Sequence, residues 1–193
     1  MKKLLLLMCA VGLFAFSALA QGKASYAGTW KLDKANSKLD QRMMFETMTW
    51  TVSQAGKELK IVSEVTLPEP KVMPAPAGAP GTGQRMGGAR GMGRGGFGGS
   101  GSGTTVYSLD GKETIVEIEG PTGKMPVTYK AVSGPGGALV LTNSRSFTGP
   151  MGEVKLTTKE TWKLSPDGRT LTVDRENTTP RGAQTSTLVF TKS

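Results

Sequence analysis

Lys159-Glu160-Thr161-Trp162-Lys163-Leu164-Ser165-Pro166-Asp167-Gly168-Arg169-Thr170-Leu171-Thr172-Val173-Asp174-Arg175-Glu176 decides the fold of this 193-residue chain. In its first half and just before it, Val154, Leu156, Thr158, Glu160, Trp162 and Leu164 alternate with Lys155, Thr157, Lys159, Thr161 and Lys163. Successive side chains leave a strand on opposite sides, so a two-residue period marks a strand with one dry and one wet face. Ser165-Pro166-Asp167-Gly168 predicts a turn: Pro fixes φ, Asp bonds its own backbone, and Gly accepts positive φ. Alternation resumes with Leu171 and Val173 on the apolar side. Pairing Leu164 with Leu171 sets Trp162 opposite Val173 and Glu160 opposite Arg175, with both charges inward.

The same pattern recurs outward from this hairpin. Met48, Trp50 and Val52 share a face, as do Leu59, Ile61, Ser63 and Val65 after the Ala55-Gly56 turn. Thr105, Tyr107 and Leu109 face inward before the strong hairpin turn Asp110-Gly111. Thr114, Val116 and Ile118 form the next inward face, with Ile115, Glu117 and Glu119 wet. Val127, Tyr129 and Ala131 follow, then Leu139, Leu141, Asn143, Arg145 and Phe147, and the chain closes with Leu188 and Phe190. A helical turn is allowed from Ala35, but no helical stripe persists. Nine or ten strands with hairpin-length connections predict an all-β antiparallel up-and-down meander. Such a meander must hide its edges, and closure into a barrel does so. A two-sheet sandwich is the rival architecture.

Residues 1–20 read as a secretory signal peptide: Lys2 and Lys3, an apolar run from Leu4 to Phe16, and Ala18-Leu19-Ala20 as the cleavage site. The apolar run is short of the ~20 residues a membrane span needs. No transmembrane segment is therefore expected after cleavage, and the short Lys-Lys leader points to a bacterial periplasmic or secreted protein. The formal charge is +9, and His is absent. The single cysteine is Cys9, within the leader. Residues 21–193 thus hold no thiol and no imidazole, which excludes Cys/His zinc sites, a Ser-His-Asp triad, a Cys nucleophile and disulfides.

Residues 21–193 read as one domain interrupted by a loop at 68–103. Pro68-Glu69-Pro70 and Pro74-Ala75-Pro76 favour extended backbone. A Gly-rich run with Arg85, Arg90 and Arg94 follows, with little to bury against a backbone ordering cost of ~1–2 kcal/mol per residue. It is read as a disordered insertion between two strands.

Gly28-Thr29-Trp30-Lys31-Leu32-Asp33-Lys34-Ala35-Asn36-Ser37-Lys38 resembles the opening of small secreted bacterial proteins of lipocalin-like type. Val106-Tyr107-Ser108-Leu109-Asp110-Gly111-Lys112-Glu113 is similar to another hairpin of that group. The resemblance implies a β-barrel opened by Gly28 and Trp30 as structural residues. It also implies a basic residue near the chain end packed over the Trp, for which Lys192 and Arg181 are available.

Several constellations of side chains bear on chemistry. Glu117 and Glu119 share a face but sit beside lysines, as a solvated surface pair does. The methionines, Met43, Met44, Met48, Met73, Met86, Met92, Met125 and Met151, carry thioethers that suit Cu(I), yet no His or Cys completes a site. They read as gap-fillers. The Arg-Gly run has the charge of nucleic-acid-binding tracts, but an exported protein seldom meets nucleic acid. Arg85, Arg90 and Arg94 would sooner contact an anionic envelope surface, lipid or polysaccharide. Inward polar residues are the strongest ligand candidates, because barrels of this size hold small ligands. The expected ligand-binding set is Trp50, Ser63, Tyr107, Tyr129, Asn143, Arg145, Glu160, Trp162 and Arg175. No cofactor or metal is implied. The sequence therefore predicts a non-enzymatic, exported, lipocalin-like binding protein for a small, partly apolar ligand, with room for an anionic group on it. The alternative is an envelope protein with a filled barrel that acts through its basic loop.

Overall fold

A computed structural model describes residues 24–40, 45–68, 101–120, 123–149 and 152–193. The predicted leader and most of the predicted insertion, with Arg85, Arg90 and Arg94, lie outside the described residues, as do Met43, Met44, Met73, Met86, Met92 and Met151. Among the described residues ten strands follow one another: β1 (Gly28–Leu32), β2 (Thr47–Ala55), β3 (Glu58–Thr66), β4 (Gly103–Ser108), β5 (Thr114–Gly120), β6 (Gly123–Ser133), β7 (Leu139–Gly149), β8 (Gly152–Leu164), β9 (Thr170–Thr179) and β10 (Gly182–Lys192). A single 3₁₀ turn, Pro135–Gly137, links β6 to β7. No described helix is long and apolar enough to cross a membrane.

All strands join one antiparallel sheet in the order β4-β3-β2-β1-β10-β9-β8-β7-β6-β5. Each strand pairs with its chain neighbour except β4 with β5, so Asp110-Gly111 turns the chain without the hairpin expected there, and β1 pairs back with β10, so the first and last strands meet. The sheet is a meander nearly closed into a barrel, not a two-sheet sandwich. Its seam lies between β4 and β5, which are not hydrogen-bonded to each other. The β8–β9 register is the one the alternation demands: Leu164 opposite Leu171, Trp162 opposite Val173, Glu160 opposite Arg175.

The turn that fixes this register is built as its residues dictate. Gly168 takes φ 67°, and the Asp167 carboxylate accepts from the Arg169 N–H at 3.1 Å and from the Ser165 hydroxyl. Ser165 in turn accepts from the Thr170 N–H at 2.9 Å.

Two expectations shift. The insertion ends sooner than residue 103, because Gly103 already opens β4 opposite Ser63, and the Ser102 hydroxyl accepts from the Val65 N–H at 2.9 Å. The inward face of β5 is also poorly covered: Val116 is 43% exposed, since its strand borders the seam and has a neighbour on one side only. Ile115, on the wet face, is 67% exposed as expected. The segment from Ala35 forms a turn, with the Asp33 carboxylate accepting from both the backbone and the side chain of Asn36.

The core is graded along the barrel. At the end carrying the Ser165–Thr170 turn, Trp30, Trp162, Leu171, Val173, Leu188 and Phe190 are fully buried. Tyr26, in the arm before β1, plugs this end. Its hydroxyl donates to the carbonyls of Gly137 and Trp162, at 3.1 and 3.2 Å, and its carbonyl accepts from the Trp30 indole at 2.9 Å. Of the two basic candidates near the chain end, Lys192 lies over Trp30, with Nζ 5.2 Å from the ring centroid. Toward the other end, Arg145, Phe147, Val154, Leu156 and Asn177, all at inward positions, are only half-buried. Val127, opposite Arg145, and Phe45, before β2, stay buried in that half, so the barrel is fully packed at the Tyr26 end and unevenly covered at the other.

Candidate functional site

The site begins at the boundary between those two halves. Glu160 on β8 and Arg175 on β9 face each other across the pair, 5% and 1% exposed. Arg175 Nε and Nη2 lie 2.8 and 2.7 Å from Glu160 Oε1, while Oε2 accepts from the Trp162 indole at 2.8 Å. A buried charge without such partners would cost several kcal/mol (~3–5) in stability. Here opposite charge and directed hydrogen bonds meet at the same carboxylate.

Aromatic rings surround the pair. Trp50 stacks on Trp162 with centroids 5.2 Å apart and on Phe190 at 4.2 Å. The Arg175 guanidinium carbon lies 5.9 Å from the Trp50 ring. Offset rings and a cation near a ring face are the arrangements that aromatic quadrupoles favour. Ser63 stands directly opposite Trp50, and Ser186 directly opposite Arg175.

The second group sits nearer the seam. Tyr107 on β4 and Tyr129 on β6 meet edge to face, 5.4 Å apart and inclined at 84°, bridging the two sides that lack strand pairing. Burial pushes the Tyr107 hydroxyl well above the ordinary tyrosine range, and the nearby Glu160 carboxylate adds to this against a hydrogen bond with Asn143. Burial also raises Tyr129, opposed by the positive charge of Arg145. Burial lowers Arg145 from the usual guanidinium value. A cation held partly out of water beside tyrosines attracts an anionic or strongly accepting group.

All nine predicted ligand residues therefore face the barrel interior. Trp50, Ser63, Glu160, Trp162 and Arg175 form one connected group, with Tyr107 within electrostatic reach of it. Arg145 stands apart from the ion pair: its cross-strand partners are Val127 and Leu156, nearer the open end. Gly28 and Trp30 hold structural positions at the dense end. Sequence reasoning missed Tyr26, read only as part of a polar arm, and Ser186. The alternation Gln184, Ser186, Leu188, Phe190 carried the signal for Ser186. Thr158 and Asn177 were also passed over as a pair; the Thr158 hydroxyl donates to Asn177 Oδ1 at 2.8 Å, one step above the ion pair.

A groove of about 800 Å³ lies outside the barrel at the dense end, between Ala24–Ser25, the Ser133–Ala138 turn and Lys163–Gly168. Its lining is mostly small residues and turns. Its one charged side chain, Lys163, already pairs with Asp174 at 3.0 Å. It holds none of the nine predicted ligand residues. No protein-family model and no curated protein matches the sequence.

Proposed function

We propose that this is an exported binding protein that takes a small, partly apolar ligand into the open half of its barrel and catalyses no reaction. The observation that carries this reading is the gradient along the inward face. Trp30, Trp162 and Phe190 are fully buried at one end, whereas Arg145, Phe147 and Leu156 are half-buried at the other. Partly covered apolar walls with a few fixed polar groups are what small-molecule pockets are made of. Arg145, with Tyr129 beside it, supplies a charge for an anionic group near the mouth. Export rests on the leader at residues 1–20.

Titration with the neutral dye phenylnaphthylamine tests this. Saturable fluorescence enhancement at one dye per chain is expected, and Leu156→Trp, which puts an indole into the open half, should abolish it while leaving the fold intact. A barrel that is filled, and acts only through its basic loop, would give no saturable enhancement in either protein.

A further inference from the structure

The large apolar side chains that stand exposed among the described residues are Leu67, Val106, Ile115, Val116 and Val132. All of them lie on β4, β5, β6 or just past the end of β3, the strands on either side of the seam. Among the described residues, β1, β2 and β7 to β10 expose none. The two edges of the seam differ in kind. β4 holds no charge and no proline, the devices that guard a free edge. β5 carries Glu117 and Glu119 and follows Glu113. The edges are pinned at the dense end, where Tyr107 meets Tyr129 and Gly111 lies beside Val132. β4 runs toward that end and β5 away from it.

We propose that the seam is a dimer interface, in which β4 of one copy pairs antiparallel with β5 of a second copy, and β5 with its β4. A twofold axis parallel to the strands makes both pairings at once, because β4 and β5 run in opposite directions. The contact is then closed, is made twice, and leaves neither edge free. Face and register follow from the alternation. Tyr107 on β4 and Val116 on β5 point inward, so Val106 and Ile115 both point outward. Setting Val106 opposite Ile115 joins the two exposed outward side chains. The same register sets Thr105 opposite Val116, Tyr107 opposite Thr114, and Glu117 opposite the uncharged Thr104. Pairing β5 with its own copy fails on charge. With each face kept outward, it sets a glutamate among Glu113, Glu117 and Glu119 directly opposite another, which destabilises a strand pair. Pairing β4 with its own copy leaves Ile115 and Val116 in water. This interface does not depend on whether the barrel holds a ligand.

Sedimentation velocity of the full chain should show twice the chain mass. Ile115→Lys should reduce it to the single-chain mass while circular dichroism remains that of the folded barrel. Single-cysteine chains test the register in a Cys9→Ala background, which holds no other thiol. Val106→Cys and Ile115→Cys chains, mixed under reducing conditions and then oxidised, should join by a disulfide, because opposite residues on paired strands bring their β-carbons to ~4.5–5.5 Å. Either chain oxidised alone should cross-link far less. A single-chain mass at every concentration would overturn the proposal, and is what a seam filled by a different protein would give. A dimer that Ile115→Lys leaves intact would place the contact elsewhere and overturn it too. Val106→Cys cross-linking as well alone as in the mixture would put β4 against itself, contrary to the pairing proposed. A ladder of larger masses would mean that each seam meets two neighbours, and would overturn the closed pair.

Discussion

The stem of Lys192 crosses above Gly28 so closely that a β-carbon on residue 28 would lie 2.5 Å from Lys192 Cε, while its ammonium caps the face of Trp30. Gly28 also has φ +142°, a conformation that side-chain-bearing residues rarely adopt. Glycine is thus required twice, by a flexible neighbour and by its own backbone. The lysine can move aside; the backbone angle cannot be relieved that way. Gly28→Ala should therefore cost roughly 1–3 kcal/mol, and adding Lys192→Ala should not restore the loss. Urea unfolding of the two variants decides this. Full recovery in the double variant would show that the clash, and not φ, sets the requirement.

Arg175→Met should destabilise the fold by ~3–5 kcal/mol, because it leaves the Glu160 carboxylate buried without its cation. Glu160→Gln combined with Arg175→Met should be more stable than Arg175→Met alone. Denaturant midpoints of the single and double variants measure the coupling. Additive losses would contradict a directly coupled buried pair.

Tyr129→Ala should loosen the seam, removing an edge-to-face contact worth ~0.5–1.5 kcal/mol beyond its buried area. The effect should be local: amide hydrogen exchange should accelerate in β5 and the first half of β6, with β9 and β10 little changed. Equal acceleration in every strand would mean that Tyr129 supports the whole barrel, not its open side.

Stability should fall on both sides of a broad pH plateau. Tyr26, Tyr107 and Tyr129 are all held above the ordinary tyrosine value, chiefly by burial. The unfolded chain therefore loses these protons first as pH rises past about 10, and stability drops with further increase. Asp33, Asp110 and Asp167 are shifted the other way, first by side-chain hydrogen bonds from Asn36, Ser108 and Ser165. Their contribution is present above the ordinary aspartate range and is lost as pH falls through their lower folded values. Melting temperature against pH should trace this shape, with tyrosinate absorbance appearing only as the protein unfolds. Tyrosinate formation in folded protein near the ordinary value would contradict it.

Much of this arrangement was legible in the residues. Alternation from Val154 to Leu164 and the Ser165–Gly168 turn fixed Glu160 opposite Arg175, since a slip of one residue would turn Trp162 and Leu171 into water. The inward face of each strand could be read because one side is apolar. What could not be read depended on closure. Alternation says that Val116 points inward, but only the seam between β4 and β5 leaves it uncovered. Tyr26 lies outside any strand, so no periodicity marks it; its role follows from the Trp162 and Gly137 carbonyls brought beneath it by distant strands. Ser186 obeys the pattern, yet only the packed barrel reveals that its hydroxyl lacks a partner.

Native mass spectrometry of the protein, purified from its own host and compared with Leu156→Trp prepared alongside it, tests the proposed binding function most directly. The expected result is a folded chain carrying one additional small-molecule mass, released on denaturation and absent from Leu156→Trp. A folded chain of bare protein mass in both samples would contradict it.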